Sequence, residues 1–219
     1  MATREKIKLT SYNELLGVNN DMISEIDINK LHQFKDHPFS VVDNEKMFEL
    51  AKSIENNGIL SPLLVRPLGN GEYEIISGHR RKRACEIVGK EKVSAIIKDI
   101  SHEEAIPLMV DANFQREDTL PSEKAKAYKM KMEALAHQGK SSDEMSSAKQ
   151  IGQLAGISDR QVQRYIRLTE LIPELSKLVD DKQITFVLGV EISFLKTEYQ
   201  QLIYENICKG KKVSKDNVR

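Results

Sequence analysis

Arginine and glutamine side chains recur at helical spacing along one short stretch in the second half of the chain. Arg160, Arg164 and Arg167 are separated by four and three residues, so a helix would place them on one face. Gln161 and Gln163 lie between them. Glutamine suits adenine and arginine suits guanine in the major groove of DNA, and further arginines neutralise phosphates. The pattern therefore predicts a helix that reads DNA.

The residues before this helix predict how it begins. Gly156 fits a tight turn because glycine tolerates a positive φ, and Ser158 can cap the helix, with Gln161 completing a capping box. The apolar residues predicted to face inward are Ile151, Leu154, Ala155, Ile157, Val162, Tyr165 and Ile166. We predict a helix-turn-helix at residues 148–171. Its predicted DNA contacts are Lys149, Ser158, Arg160, Gln161, Gln163, Arg164 and Arg167. The alternative is an ordinary helical hairpin with solvated arginines.

A second basic cluster follows Gly78. The sequence from His79 contains four basic residues in five positions at the expected opening of a helix. A helix N-terminus offers free backbone N–H groups and partial positive charge, and arginine adds bidentate donors. This segment is a candidate phosphate cradle. A solvated helix start, or a patch that contacts the DNA backbone, would give the same pattern.

Three segments together resemble sequence boxes of ParB-family partition proteins of the ParB/RepB type. Residues 75–84 resemble the Gly-Glu-Arg-Arg phosphate box, residues 58–66 resemble the segment that cups a cytosine ring, and residues 113–117 resemble a Glu-Asn-x-Gln-Arg box. They occur in the family's order and precede the predicted helix-turn-helix. The resemblance covers about residues 26–171.

The resemblance implies an N-terminal domain that binds CTP with magnesium and a helical domain that reads a centromere-like DNA site in plasmid or chromosome segregation. In the family, DNA and CTP together close a dimeric clamp, slow hydrolysis reopens it, and a ParA-type ATPase is the usual partner. Asn113 would be the magnesium ligand. The implied nucleotide-binding residues are Pro62, Leu63, Val65, Arg66, Gly78, His79, Arg80, Arg81, Asn113, Gln115 and Arg116.

The sequence departs from the family pattern at three positions. His79 replaces a glutamate of the phosphate box, Ala112 replaces a glutamate that helps to hold magnesium, and Ser61 replaces a common glutamine. Magnesium prefers hard oxygen ligands, which histidine and alanine do not provide. Asp111 is adjacent, but on a helix it would point about 100° away. These changes argue against CTP hydrolysis and leave nucleotide binding open.

Two other functions compete with a CTP-dependent partition protein. The first is a transcriptional repressor or accessory factor on the same scaffold, without a nucleotide cycle. The second is an enzyme, since sulfiredoxin and a free-serine kinase share the ParB-like N-terminal fold. Sulfiredoxin-like chemistry needs a cysteine where Gly78 stands, and Cys85 is almost two helical turns further on. No carboxylate base for a kinase can be named.

Hydrophobic periodicity predicts an α+β fold, with a small α/β domain at residues 23–100 followed by an all-helical domain at residues 101–208. The resemblance implies that the first of these domains is ParB/sulfiredoxin-like. In the first, strands near residues 26–31, 63–67, 73–76 and 93–97 alternate with two helices, one of which ends at Gly58. In the second, helices are expected at residues 103–114, 122–138, 148–155 and 159–171, with two more after Pro173 and a solvated loop at residues 139–147. A flexible arm is expected at residues 1–22 and a basic tail at residues 209–219. The resemblance also implies a C-terminal dimerisation domain, for which no further segment remains, so the chain is either an excerpt or dimerises differently.

Composition fits a cytoplasmic protein, with 33 basic and 33 acidic side chains and 30% charged residues. DNA binding must therefore depend on local patches of charge. Cys85 and Cys208 form no metal-binding pattern and suit a reducing compartment. No apolar run long enough for a membrane span and no secretory signal is expected.

Overall fold

The computed structural model describes residues 23–114, 116, 119–137, 144–211 and 213. The chain divides into two compact units, one made of residues 1–34 and 41–101 and the other of residues 35–40 and 102–219. Each unit has apolar clusters of its own. The arm predicted for residues 1–22 and most of the tail predicted for residues 209–219 lie outside the described residues.

The N-terminal unit is built on a mixed five-stranded sheet with the strand order β1-β5-β3-β4-β2. β1 pairs antiparallel with β5, β5 pairs parallel with β3, β3 pairs antiparallel with β4, and β4 pairs parallel with β2. The strands are β1 Ile23–Asp27, β2 Leu31–His32, β3 Leu63–Gly69, β4 Glu72–Ser77 and β5 Lys92–Ile97. The extended run predicted near residues 26–31 is interrupted by a 3-10 turn at Ile28–Lys30.

Two helices of this unit have ends that the sequence predicts. Helix α1, Glu45–Asn57, begins where the Asn44 side chain accepts a hydrogen bond from Met47 N, and it ends at Gly58, whose φ is 71°. Helix α2, His79–Ile87, follows Gly78 and is succeeded by Gly89 at φ 69°. Met47, Ala51 and Ile54 turn inward from α1, and Ala84 and Cys85 turn inward from α2. Both helices therefore bury one face in the core of the sheet.

The C-terminal unit is helical in its described parts. Its helices are α3 His102–Asp111, α4 Pro121–His137, α5 Glu144–Ala155, α6 Asp159–Arg167, α7 Pro173–Asp180, α8 Phe186–Ile192 and α9 Thr197–Cys208. A 3-10 turn, Leu168–Glu170, follows α6. The mixed α/β unit followed by a mostly helical region confirms the predicted α+β fold class.

The structure corrects three expectations about this unit. Helix α5 begins at Glu144, so the solvated loop predicted for residues 139–147 is wrong for its last four residues. The α-helix predicted to reach residue 171 ends at Arg167, where the chain tightens into the 3-10 turn. Three helices follow Leu171 where two were predicted, because Thr185 caps the additional helix α8 by accepting from Leu188 N.

Two apolar clusters hold the C-terminal unit together. The first joins α4, α5 and α6 through buried residues that include Tyr128, Ile151 and Val162. The second joins α7, α8 and α9 to the 3-10 turn around Leu168, Leu175 and Ile192. Gln200, which is 2% exposed, accepts from Ile172 N and donates to Glu170 O and Leu195 O. A buried amide with all its bonds satisfied fixes α9 against the connections of its neighbours.

Cys85 is buried and Cys208 is exposed, and both are free thiols. Within the described ranges, every helix falls short of the length and apolarity that a bilayer crossing requires.

Candidate nucleic-acid and nucleotide interfaces

The turn between α5 and α6 has the geometry that the sequence predicts for a helix-turn-helix. The connection is three residues long, and its first residue, Gly156, has a φ of 68°. Ser158 caps α6, since its Oγ accepts from Gln161 N at 3.2 Å. That bond is the first half of the predicted capping box. The start of α6 is therefore fixed by local bonds as well as by packing.

A second glycine in this motif has a role that sequence reasoning missed. A Cβ atom on Gly152 would lie 2.6 Å from the carbonyl oxygen of Ile157, and Ile157 N donates to Gly152 O at 2.9 Å. No side chain fits where the returning backbone comes this close to α5. The signal in the sequence was a glycine inside a helical pattern, which often marks such a close approach.

The polar side chains of α6 face outward and its apolar side chains face inward. Arg160, Gln163 and Arg164 are exposed, whereas Val162 is fully buried. Lys149, on α5, is also exposed. Gln161 is half-buried beside the cap. Leu154 was predicted to face inward and is 57% exposed, because α5 packs through the stripe that contains Ala148, Ile151 and Gly152.

Arg167 lies on the same helix but is held inside the protein. Its Nη2 donates to Ser193 O at 2.7 Å, and its guanidinium carbon lies 4.3 Å from the centre of the Phe194 ring. A hydrogen bond and a cation–π contact fix this side chain against the end of α8. Arg167 therefore positions α6, and the arginines that face solvent are Arg160 and Arg164.

In the N-terminal unit, Gly78 shapes the start of α2. Its φ is 112°, and a Cβ there would lie 2.7 Å from Leu63 Cγ. Both facts require glycine, and a glycine also leaves the first-turn N–H groups without a side-chain cap. A helix start of this kind can receive an anion.

The four basic residues after His79 differ in what they contact. Arg81 donates through Nη1 to the carbonyl oxygens of Ser61 and Pro62, the latter at 2.7 Å. Lys82 pairs with Glu86 at 2.8 Å. Arg83 pairs with Asp43 at 2.6 Å and with Glu86 at 3.2 Å. The hydrogen bonds from Arg83 hold the pKa of the Asp43 carboxyl below its ordinary value. Arg80 makes no ion pair or side-chain hydrogen bond with any described residue.

The remaining predicted nucleotide residues of this unit have structural contacts. Leu63 and Val65 are fully buried core residues, so their side chains back the site and do not line it. Arg66 donates to Glu74 across the strands at 2.6 Å, and Pro62 is half-buried at the start of β3. Phe34 N donates to His79 Nε2 at 3.4 Å. Only part of the predicted set, chiefly Arg80 and the Gly78 turn, is therefore available to a ligand.

The Asn113 segment belongs to the C-terminal unit. Asn113 Nδ2 donates to Met109 O at 2.8 Å, and its Oδ1 accepts from Arg116 Nη1 at 3.5 Å. The amide thus closes the end of α3. Gln115, Glu117 and Asp118 lie outside the described residues.

Asp111 is the carboxylate nearest to Asn113 in sequence, and it has a buried partner. The ammonium group of Lys131, whose side chain is 2% exposed, forms an ion pair with Asp111 Oδ1. Burial raises the pKa of Asp111, and the lysine opposes that shift. Burial likewise lowers the pKa of Lys131, and the aspartate opposes it. No pattern in the sequence indicates this pair.

Aromatic rings connect the Asn113 segment with α6. Phe114 lies 5.7 Å from Tyr128, Tyr128 lies 5.5 Å from Tyr165, and Tyr165 lies 4.7 Å from Phe186, all measured between ring centres. Burial raises the pKa of Tyr128 to about 12. Edge-on and tilted contacts of this kind add to the free energy of burial. The α6 core and the segment after α3 thus share one aromatic cluster.

Comparison with known proteins identifies related chains. Residues 12–114 match the family model described as the ParB N-terminal domain. The chain is 38% identical over 141 residues to the chromosome-partitioning protein Spo0J of Thermus thermophilus, covering 64% of this chain and 48% of that protein. It is 29% identical over 199 residues to a nucleoid occlusion protein of Listeria monocytogenes, covering 91% of this chain and 66% of that protein. The chain thus spans about half to two thirds of these relatives.

A solved structure has the same fold. The C-terminally truncated ParB of Caulobacter crescentus, described as complexed to the centromeric parS site, matches with a TM-score of 0.55 at 24% identity. The match covers 89% of this chain and 96% of that one.

Proposed function

Because residues 12–114 match the family model of the ParB N-terminal domain, we propose that the chain is a partition protein that binds a specific site on double-stranded DNA. It acts in plasmid or chromosome segregation as a cytoplasmic homodimer, with a ParA-type ATPase as partner. The partners and the location follow from the family resemblance. The relatives named as chromosome-partitioning proteins support the partition role.

The observation that carries the DNA proposal is the division of α6 into two faces. Ser158 caps the helix and Gly156 forms the turn before it. Val162 lies on the buried face, whereas Arg160 and Arg164 are exposed. A recognition helix needs this combination, since a rigid start presents the side chains that reach base edges. Support for the DNA partner also comes from the Caulobacter protein of the same fold, which is described with its parS site.

The experiment for this proposal selects bound sequences from a random duplex pool and measures affinity for the selected site and for a scrambled one. Wild-type protein should prefer the selected site. Arg164→Ala should lose most of that preference, while Lys52→Ala, which removes an exposed charge from α1, should retain it. Equal affinity of wild-type protein for both duplexes would contradict the proposal.

The N-terminal unit is proposed to bind a nucleoside triphosphate, CTP by resemblance to the family. The open helix start after Gly78 supports phosphate binding, as does the guanidinium of Arg80, which pairs with no residue that the structure describes. The base would lie near Pro62. Titration calorimetry with CTP, ATP and GTP tests the class of nucleotide, and binding of none of them would remove this part of the proposal.

Magnesium, which the family resemblance implies, does not fit the described residues. Asn113, the predicted ligand, accepts from a guanidinium, Asp111 is paired with Lys131, and the side chain of Ala112 has no atom that can bind a metal. No group of three or more potential metal ligands occurs among the described residues. We therefore assign no metal-dependent step to this site.

A second candidate function is a repressor or accessory factor that binds DNA without any nucleotide. It is favoured by Arg81, whose Nη1 already binds two carbonyl oxygens of the protein. The calorimetric titration distinguishes the two, because the repressor would bind none of the three nucleotides.

A further inference from the structure

We infer that the nucleotide site binds its phosphates without a divalent cation, an inference that rests on the proposed nucleotide function. Magnesium keeps near-ideal octahedral geometry and is usually held in proteins by one or two carboxylates together with phosphate oxygens. The inference therefore depends on whether the carboxylates of each unit could coordinate a metal without losing their present partners.

Coordination of a metal by Asp111 would cost a large amount of free energy. Its partner, Lys131, is almost fully buried, and the ammonium group also lies 5.1 Å from the centre of the Phe114 ring. Moving the carboxylate to a metal would leave this ammonium charge buried and unpaired. Removing one partner from a buried ion pair is strongly unfavourable. The pair therefore holds Asp111 in place.

The Asn113 amide is equally unsuited to a cation. Its oxygen accepts from Arg116 Nη1, so a metal at that oxygen would face a guanidinium at close range. Its nitrogen is held by Met109 O, so the amide cannot turn without breaking that bond. Like charges a few ångströms apart repel strongly when solvent is partly excluded.

The carboxylates around α2 in the N-terminal unit also have basic partners. Glu86 pairs with Lys82 and Arg83, Asp43 pairs with Arg83, and Glu74 accepts from Arg66. What this unit offers a polyphosphate is cationic: the N–H groups at the start of α2 and the Arg80 guanidinium. Arginine binds phosphate through paired hydrogen bonds and needs no bridging ion. The geometry thus provides charge neutralisation by the protein in place of a metal.

The test is calorimetric titration of the whole chain with CTP, once with magnesium chloride and once with EDTA. We expect dissociation constants that agree within about threefold, a difference of roughly 0.7 kcal/mol. Because the whole chain is titrated, Glu117 and Asp118 are tested as well. Binding that is at least about tenfold tighter with magnesium would overturn the inference and leave the nucleotide proposal standing. Binding in neither buffer would instead remove the nucleotide proposal itself.

A pair of variants tests the source of the neutralising charge. Arg80→Ala should weaken CTP binding at least about tenfold, and equally in both buffers, because no metal shares the phosphates with it. Lys52→Ala, the charge-matched control on an exposed face of α1, should bind as wild type does. Restoration of Arg80→Ala binding by magnesium would contradict the inference, since the cation would then occupy the same phosphates.

Discussion

Helices α2 and α6 are each nine residues long and rich in basic side chains, yet they use those side chains differently. On α2, Arg81, Lys82 and Arg83 contact carbonyl oxygens or carboxylates of the protein. On α6, contacts of this kind with described residues are limited to Arg167, and Arg160 and Arg164 are exposed. A run of basic residues therefore indicates ligand binding only where neighbouring elements of the protein offer it no hydrogen-bond acceptors.

The largest effect is expected from Gly78→Ala, which tests whether the start of α2 is a fixed cradle. The new Cβ would meet Leu63 Cγ at 2.7 Å in a backbone conformation that L-residues disfavour. We expect the N-terminal unit to lose about 3 kcal/mol of stability and all nucleotide binding. Urea unfolding followed by circular dichroism measures the loss. Gly89→Ala is the control: its φ of 69° is also positive but a Cβ there would meet open space, so it should cost about 1 kcal/mol.

Lys131→Met tests the buried pair beside the Asn113 segment. It leaves Asp111 without a partner, so we expect a loss of about 2–3 kcal/mol at neutral pH, somewhat below the usual range because Asp111 is 29% exposed. Burial raises the pKa of Asp111, so in the variant the folded state binds this proton more readily than the unfolded state does. The loss should therefore shrink as the pH falls through that raised pKa.

The measurement for this pair is the urea midpoint of the variant across mildly acidic to neutral buffers, relative to wild type. The double variant Asp111→Leu with Lys131→Met removes both charges and should recover most of the stability. A midpoint difference that does not change with pH would mean that Asp111 is not the group left unpaired.

Arg164→Ala tests whether the exposed face of α6 contacts DNA. We expect a loss of roughly 2 kcal/mol in binding to the selected DNA site, as for a lost base or phosphate contact, and no change in unfolding. Fluorescence anisotropy at fixed salt measures the affinity. Unchanged affinity would remove Arg164 from the contact surface.

Arg167→Ala tests the contacts that α6 makes with the end of α8, and it should have the smallest effect. Loss of the bond to Ser193 O and of the contact with Phe194 should lower stability by about 1 kcal/mol. DNA affinity should change little, and to a similar extent for the selected and scrambled duplexes, because this guanidinium is already engaged by the protein. A large loss confined to the selected duplex would instead identify Arg167 as a DNA contact, as the sequence alone predicts.

Local patterns predicted most of the elements because short-range chemistry determines them. Gly58, Gly156 and Ser158 end or begin helices where their types require it. The pairing of Arg81 with Ser61 and Pro62, and that of Lys131 with Asp111, join residues about twenty positions apart. No periodicity reports such contacts. The structure therefore shows Arg160 and Arg164 exposed on α6, and their contacts with DNA stay a prediction. The burial of Leu63 and Val65 and the contacts of Arg167 became evident only from the tertiary structure.

The separation of α6 into an exposed polar face and a buried apolar face also bears on how such a protein can change. Arg160, Gln163 and Arg164 are exposed, and substitutions at exposed positions usually alter stability by no more than about 0.5 kcal/mol. Gly152, Gly156 and Val162 tolerate little, because they carry the turn and the core. Through a few substitutions on this one surface, a lineage could thus come to bind a different DNA sequence while it keeps the same fold.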